Sequence, residues 1–194
     1  MEPEKEKVAL AKAEQIAKEV LCLLNNHCQR VEIAGSIRRK KAEVGDIEIL
    51  AIPKFKRVTP EGELLLINGE VEENITERRI QELLDKRILA PRLKINGTKT
   101  MGPRVKLMTH TTSGIAVDIF LCDESGWVNN LVSRTGGKNT NIAIASRAKA
   151  RGWNWLPFGT GFQNQRTGEI HQPETEEDVM AFVGLPPMKP EERP

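Results

Sequence analysis

Residues 35–50 read GSIRRKKAEVGDIEIL, and no other part of the chain says as much about its chemistry. The second half alternates polar and apolar residues, as a strand with one buried face does. On such a strand Asp46 and Glu48 project from one face, while Ile47 and Ile49 point into the core. The stretch therefore predicts a strand that begins at Asp46 and presents two carboxylates together.

A third carboxylate, Asp118, lies in a similar run, GIAVDIFL, over residues 114–121. If the two strands are neighbours, three carboxylates share one face, and their mutual repulsion raises at least one pKa. Divalent cations remove that cost, and ligands that are all oxygen favour Mg²⁺ or Mn²⁺. We therefore predict that Asp46, Glu48 and Asp118 are metal ligands and catalytic residues for two ions. The alternative is that they are surface carboxylates of half-buried strands.

The residues before the first strand favour the metal site over that alternative. Gly35 and Ser36 form a turn of the kind that binds anions. Arg39 can hold a phosphate through two donors, and Gly45 leaves room for a ligand beside the strand. We predict that these four residues bind a nucleoside triphosphate.

The composition is that of an ordinary soluble protein, with 39% hydrophobic and 29% charged residues in 194. No apolar stretch is long enough to span a membrane, and the first residues are too charged for a signal peptide. The three cysteines are scattered, as reduced thiols are. These features predict a cytoplasmic monomer with no membrane partner.

Charge is distributed unevenly along the chain. Between Glu124 and Glu169 there is no acidic residue, although arginine and lysine recur there. Such a stretch predicts either a surface that faces a polyanion or a solvated basic helix face, and charge alone does not separate the two.

Hydrophobic periodicity predicts alternating helices and strands. Helices are expected over residues 7–25, 75–88, 140–150 and 176–183, strands over 31–34, 46–52, 104–109 and 114–122, and a turn at Pro60-Glu61-Gly62. The last two strands are expected to form a hairpin. This order predicts an α/β domain followed by a smaller C-terminal subdomain.

Three motifs together resemble the nucleotidyltransferase superfamily and, within it, the family X (polymerase beta-like) DNA polymerases. They are the GSIRR…DIE stretch, the run RTGG over residues 134–137 followed by Asn141, and EEDVMAFVGLPP over residues 176–187. The resemblance implies an α+β fold, in which a palm domain at residues 1–125 has a mixed sheet with helices on one face. Residues 126–194 would form a small α+β, thumb-like subdomain.

The resemblance also implies a role for each motif. Asp46, Glu48 and Asp118 would hold two Mg²⁺ or Mn²⁺ ions, and Ser36 and Arg39 would bind the triphosphate. Gly136 and Gly137 would lie under the sugar and Asn141 would contact the base edge. The DNA backbone would be bound by Lys138, Arg147, Lys149 and Arg151. The implied partners are a nucleoside triphosphate and primer–template or gapped DNA.

The implied activity is template-directed nucleotidyl transfer to a primer 3′-hydroxyl, as in gap-filling DNA repair. Glu48 stands where these polymerases usually have Asp, and Ser133-Arg134 stand where an aromatic pair screens against ribose. Weak sugar discrimination is therefore expected. Both departures keep an alternative open, a non-templated or small-molecule nucleotidyltransferase of the aminoglycoside- or RNA-end-modifying type. Ala116 also replaces an arginine that often supports the primer terminus. The chain is expected to lack deoxyribose-phosphate removal.

Three aromatic residues close to one another, Trp153, Trp155 and Phe158, could stack on a base of a template strand. We favour the alternative that they form the small core of the C-terminal subdomain. Thr175 is expected to cap the last helix, with acidic residues in its first turn.

Overall fold

The computed structural model describes residues 7–59, 70–93 and 97–194, so the predicted turn at Pro60-Glu61-Gly62 lies outside the described residues. In the first two thirds of the chain the elements are β1 (Val8–Ala9), α1 (Leu10–Asn25), β2 (Cys28–Ile33), α2 (Gly35–Arg38), β3 (Glu43–Val44), β4 (Asp46–Pro53), β5 (Phe55–Val58), β6 (Val71–Asn74), α3 (Ile75–Asp85), β7 (Leu89–Pro91), β8 (Val105–His110) and β9 (Ala116–Leu121). They are followed by α4 (Trp127–Thr135), α5 (Lys138–Ala150), β10 (Trp153–Trp155), β11 (Phe162–Asn164), β12 (Ile170–His171) and α6 (Glu176–Phe182).

The central sheet has five strands in the order β2-β4-β9-β8-β7. Strands β4 and β9 run parallel, and every other neighbouring pair is antiparallel. Strands β8 and β9 form the predicted hairpin, and the predicted mixed sheet is confirmed. Because β4 and β9 are neighbours, the strand that carries Asp46 and Glu48 lies directly beside the strand that carries Asp118.

Helices α1 and α3 cover one face of this sheet. Ile47 and Ile49 point toward them and are fully buried, as their place in the alternating pattern predicts. Burial of each such side chain contributes roughly 1.5–3 kcal/mol, so this face anchors the strands firmly. Helix α1 begins at Leu10 and not at residue 7, because Val8 and Ala9 pair with β3.

The opposite face of the sheet carries the carboxylates at one end and an apolar cluster further along. That cluster joins β4 and β9 to α4 and contains Leu50, Ile52, Phe120, Cys122, Trp127 and Leu131. Helix α4 therefore fixes the C-terminal part of the chain against the carboxylate face. The predicted domain boundary between residues 125 and 126 stays a prediction.

Helices α4, α5 and α6 and the three short strands β10–β12 enclose a second core. Its buried members are Val132, Ile144, Ala148, Phe162, Val179, Met180 and Val183. Trp153 and Trp155 pack against this core, as we favoured, whereas Phe158 is 51% exposed. Thr175 caps α6 in a reciprocal capping box with Asp178, which matches the predicted cap.

Helix α4 has no counterpart among the predicted helices. Its apolar pattern is interrupted by Asn129 and Asn130, yet both asparagines are buried and hydrogen-bonded. The Asn130 side chain donates to the Gly126 carbonyl at 2.9 Å, and Trp155 Nε1 donates to Asn129 Oδ1 at 2.9 Å. Throughout residues 7–59, 70–93 and 97–194, every helix is too short or too polar to cross a membrane.

Candidate active site

The three predicted carboxylates meet on one face of the sheet. In the parallel pairing of β4 and β9, Glu48 lies opposite Asp118, and two residues earlier Asp46 lies opposite Ala116. Asp118 is 6% exposed, because the sheet and the side chains that surround it shield the carboxylate from solvent. The condition on which the predicted site depended, that the two strands are neighbours, is confirmed.

Gly35 lies directly against Glu48. It adopts a φ of +64°, and a β-carbon at this position would clash with Glu48 Oε2. The Ala34 amide donates to the Glu48 carbonyl at 2.8 Å, which holds the turn on the strand. Gly35 and Ser36 open the one-turn helix α2, so the predicted turn is the start of a short helix. Glycine is required here because the backbone must approach the carboxylate closely.

Burial and neighbouring charge act together on Glu48. Burial raises its pKa first, and the charges of Asp46 and Asp118 raise it further, whereas Arg134 and Arg39 lower it; the resulting pKa is about 7. Near neutral pH, Glu48 is thus poised between its protonated and its charged form.

Arg92 contacts Asp118 directly, and sequence reasoning did not find it. Its Nη2 lies 2.8 Å from Asp118 Oδ1 and 3.1 Å from Oδ2. Within the described ranges, no three acidic, histidine or cysteine side chains converge into a ready coordination shell. An ion at this site would therefore require the carboxylate side chains to rearrange.

Arg38, the last residue of α2, and Arg39, which follows it, reach the end of α4. Arg39 Nη1 donates to the Thr135 carbonyl, and Arg38 Nη1 donates to Thr135 Oγ1 at 2.9 Å. Arg38 also pairs with Glu176 at 2.7 Å, and Glu176 pairs with the buried Arg193. Burial lowers the pKa of Arg39, and the charge of Glu48 opposes that shift. Arg39, the predicted triphosphate ligand, thus lies between Glu48 and the last turn of α4.

The glycine pair of the RTGG run follows α4 immediately. Gly136 has a φ of +73°, and a β-carbon there would lie 2.7 Å from Arg39 Nη1. A β-carbon on Gly137 would clash with the carbonyl of Pro194. The Asn141 side chain donates to the Ser133 carbonyl at 2.8 Å. These contacts bring the predicted sugar- and base-binding residues to one junction, next to Arg39 and the chain's last residue.

The four basic residues predicted to bind DNA are all exposed, but they divide between two sides of α5. At 3.6 residues per turn, Lys138 and Lys149 share one face, while Arg147 and Arg151 lie roughly opposite. Arg147 donates to the Gly184 carbonyl at 2.6 Å, and Arg151 donates to the Phe182 carbonyl. These two arginines tie α5 to the end of α6, whereas the two lysines form the basic face that points away.

Gly45 and Ser36 complete the predicted residues. Gly45 directly precedes Asp46 and lines a cavity of about 250 Å³ that Arg92 and Lys12 also line. The Ser36 hydroxyl is buried and has no hydrogen-bond partner among the residues that the structure describes. A buried hydroxyl without a partner is costly, so a ligand in this turn would relieve that cost.

Comparison with known proteins bears on the fold and the family likeness. Residues 130–194 match the family model described as DNA polymerase beta thumb. No curated protein matches. Among solved structures, the chain is similar to the crystal structure of Leishmania infantum polymerase beta described as a ternary P/T complex, with 18% sequence identity and a TM-score of 0.69. The match covers 98% of this chain and 78% of that one. The predicted α+β fold and the likeness to family X polymerases are confirmed.

Proposed function

We propose that this family X polymerase-like chain transfers a nucleotide from a nucleoside triphosphate to a primer 3′-hydroxyl under the direction of a template, as in the filling of short gaps. The observation that carries the proposal is the pairing of Glu48 with Asp118 in register. It places both carboxylates, with Asp46, beside the Gly35 backbone and Arg39. Phosphoryl transfer asks a protein mainly for positioning and charge stabilisation, and this arrangement supplies both.

Asp46, Glu48 and Asp118 would hold two Mg²⁺ or Mn²⁺ ions. The residues fit such ions, because their donors are all oxygen and because burial, together with the neighbouring carboxylates, raises the pKa of Glu48 to about 7. When bound, the ions supply activation of the hydroxyl and neutralisation of the leaving pyrophosphate. Asp118 would accept the proton of the 3′-hydroxyl at a carboxylate oxygen.

The triphosphate would be bound by the N-terminal turn of α2. Ser36 would donate its buried hydroxyl, whose lack of a partner among the described residues supports this role. Arg39 would turn its guanidinium from the Thr135 carbonyl toward the phosphates. Because that carbonyl closes α4, nucleotide binding at Arg39 would act directly on the thumb-like subdomain.

DNA would be bound on the C-terminal side of the site. Lys138 and Lys149 form an exposed basic face on α5, and such a face binds phosphates without reading sequence. The match of residues 130–194 to a polymerase thumb supports this role. The Leishmania structure is described as a ternary P/T complex, and on that basis we propose primer–template DNA and a nucleotide as the partners of this chain. Gly136, Gly137 and Asn141 would contact the sugar and the base edge of the incoming nucleotide.

A second candidate is nucleotidyl transfer without a template, to a small molecule or an RNA end. The observation that favours it is the side chain of Arg134, which lies against Phe120 and Phe158 at a position where an aromatic pair would screen against ribose. Weak discrimination between ribo- and deoxyribonucleotides is part of the proposal for the same reason.

Primer extension separates the two candidates. A labelled primer is offered alone, on a recessed template and across a one-nucleotide gap, with Mg²⁺ or Mn²⁺ and with ribo- or deoxyribonucleotides in separate reactions. Addition that requires the template, and that Asp118→Asn abolishes, supports the polymerase. Addition to the primer alone supports the second candidate.

A further inference from the structure

Two arginines from different parts of the chain reach the carboxylate face of the sheet, and one of them contacts Asp118. Arg92 follows the edge strand β7, and its amide donates to the Leu107 carbonyl at 2.9 Å. Leu107 is the register partner of Asp118, so the backbone places Arg92 level with that carboxylate. Its Nη2 contacts both Asp118 oxygens, at 2.8 and 3.1 Å. The guanidinium thus contacts both oxygens of a carboxylate that would also bind a cation.

Arg134 reaches the same site from the last turn of α4. Its guanidinium carbon lies 3.5 Å from the ring centre of Phe120 and 4.3 Å from that of Phe158. Phe120 is two residues beyond Asp118, so its ring and that carboxylate share one face of β9. Burial lowers the pKa of Arg134, and the charges of Glu48 and Asp118 oppose that shift.

The two arginines are held differently. The Nε of Arg134 is buried and has no hydrogen-bond partner among the described residues. Arg134 is therefore kept in place by ring stacking and by charge, not by directed hydrogen bonds, and a stronger competing charge can displace it. Arg92, by contrast, would have to give up direct hydrogen bonds to Asp118 when a cation takes its place.

We infer that Arg92 and Arg134 are built-in counter-ions of the carboxylate site and that they compete with divalent cations for it. The inference rests on the metal site of the proposed function. A buried carboxylate needs a compensating charge, and an arginine or a metal ion can provide it. Each arginine therefore lowers the affinity for the metal while it stabilises the chain in the metal's absence.

The test measures Mn²⁺ binding to the full chain without nucleotide or DNA, from the electron paramagnetic resonance signal of the free ion. Arg92→Gln and Arg134→Gln should each lower the Kd for Mn²⁺ by on the order of tenfold, the ratio that about 1.4 kcal/mol produces. Arg57→Gln removes an exposed arginine on β5, beyond the far end of β4, and should leave the Kd unchanged. Unchanged or weaker Mn²⁺ binding in either glutamine variant overturns the competition for that arginine.

Two further variants keep the result interpretable. Arg92→Lys and Arg134→Lys retain the charge and should stay close to the wild-type Kd, and they can be measured even if a glutamine variant unfolds. A lysine variant whose Kd for Mn²⁺ is about tenfold lower, as expected for the glutamine variant, would overturn the role of charge. Asp118→Asn should lose the measured ion. Binding that depends on Asp118 but ignores both arginines contradicts this inference alone. No Mn²⁺ binding in any variant removes the proposed metal site and, with it, the competition.

Discussion

Replacing Glu48 with glutamine should change how the stability of the chain depends on pH. The Glu48 pKa is about 7 in the folded chain, against an ordinary value of 4.5. Between these pH values the folded chain holds a proton that the unfolded chain has released, so the wild type loses stability as pH rises through this window. At about 1.4 kcal/mol for each factor of ten in the protonation equilibrium, the loss amounts to at most about 3 kcal/mol.

Urea unfolding followed by far-ultraviolet circular dichroism measures this directly, at pH 5 and pH 8.5 in buffer that contains EDTA. Glutamine is close to isosteric and never ionises. Glu48→Gln should therefore gain stability relative to the wild type between the two pH values, by up to about 3 kcal/mol. At pH 5 the two proteins should differ little, because Glu48 is then mostly protonated in the folded chain.

Glu72→Gln provides the matched control, because Glu72 is exposed on β6. Its stability should follow the wild-type curve at both pH values. If the wild type and Glu48→Gln lose or gain stability in parallel from pH 5 to pH 8.5, then burial and neighbouring carboxylates do not hold the Glu48 pKa high. The crowding argument for a metal site would then be wrong.

Three further substitutions test contacts around the site. Gly35→Ala should lower the free energy of unfolding, measured in urea, by more than Gly152→Ala, since both have positive φ but only the first β-carbon would clash; equal losses would contradict the close approach. Arg39→Ala should raise the KM for nucleotide far more than it weakens DNA binding measured by fluorescence anisotropy, and equal losses would rule out a triphosphate role. Arg193→Ala should destabilise the chain to urea by about 1.5–3 kcal/mol, because it removes a buried charge-assisted hydrogen bond to Glu176 while Arg38 still pairs with that carboxylate; a loss below about 0.5 kcal/mol would be inconsistent with that role.

The carboxylate strands could be predicted because their signals are local. Alternation over residues 46–50 fixes which side chains face the core, and the hairpin of β8 and β9 joins segments that are close in sequence. The sequence made neighbouring carboxylate strands a condition of the site, because the two runs are similar, and it gave no direction for the pair. Strands β4 and β9 are neighbours and run parallel, which places Glu48 opposite Asp118.

Contacts that join distant segments left no such signal. Arg92 lies 26 residues from Asp118 and follows β7, a strand of only three residues, which is too short for a periodic pattern. Helix α4 was missed because Asn129 and Asn130 interrupt its apolar pattern. Both are buried through hydrogen bonds to Trp155 and to the Gly126 carbonyl, partners that only the folded chain supplies.

The basic residues of α5 show the same limit in another form. Their charge and the family resemblance predicted one DNA-binding surface, yet Arg147 and Arg151 donate to carbonyls at the end of α6. Helical spacing alone could have separated them from Lys138 and Lys149. Which of the four residues contact DNA stays a prediction.

Incorporation across a one-nucleotide gap tests template-directed transfer most directly. Four gapped duplexes, each with a different template base, are given all four deoxynucleotides in competition with Mg²⁺, and the added base is identified. We predict that the complementary base predominates opposite each template base and that Asp118→Asn adds none. The same base added to all four duplexes, or addition that survives Asp118→Asn, would contradict template-directed catalysis at the carboxylate site.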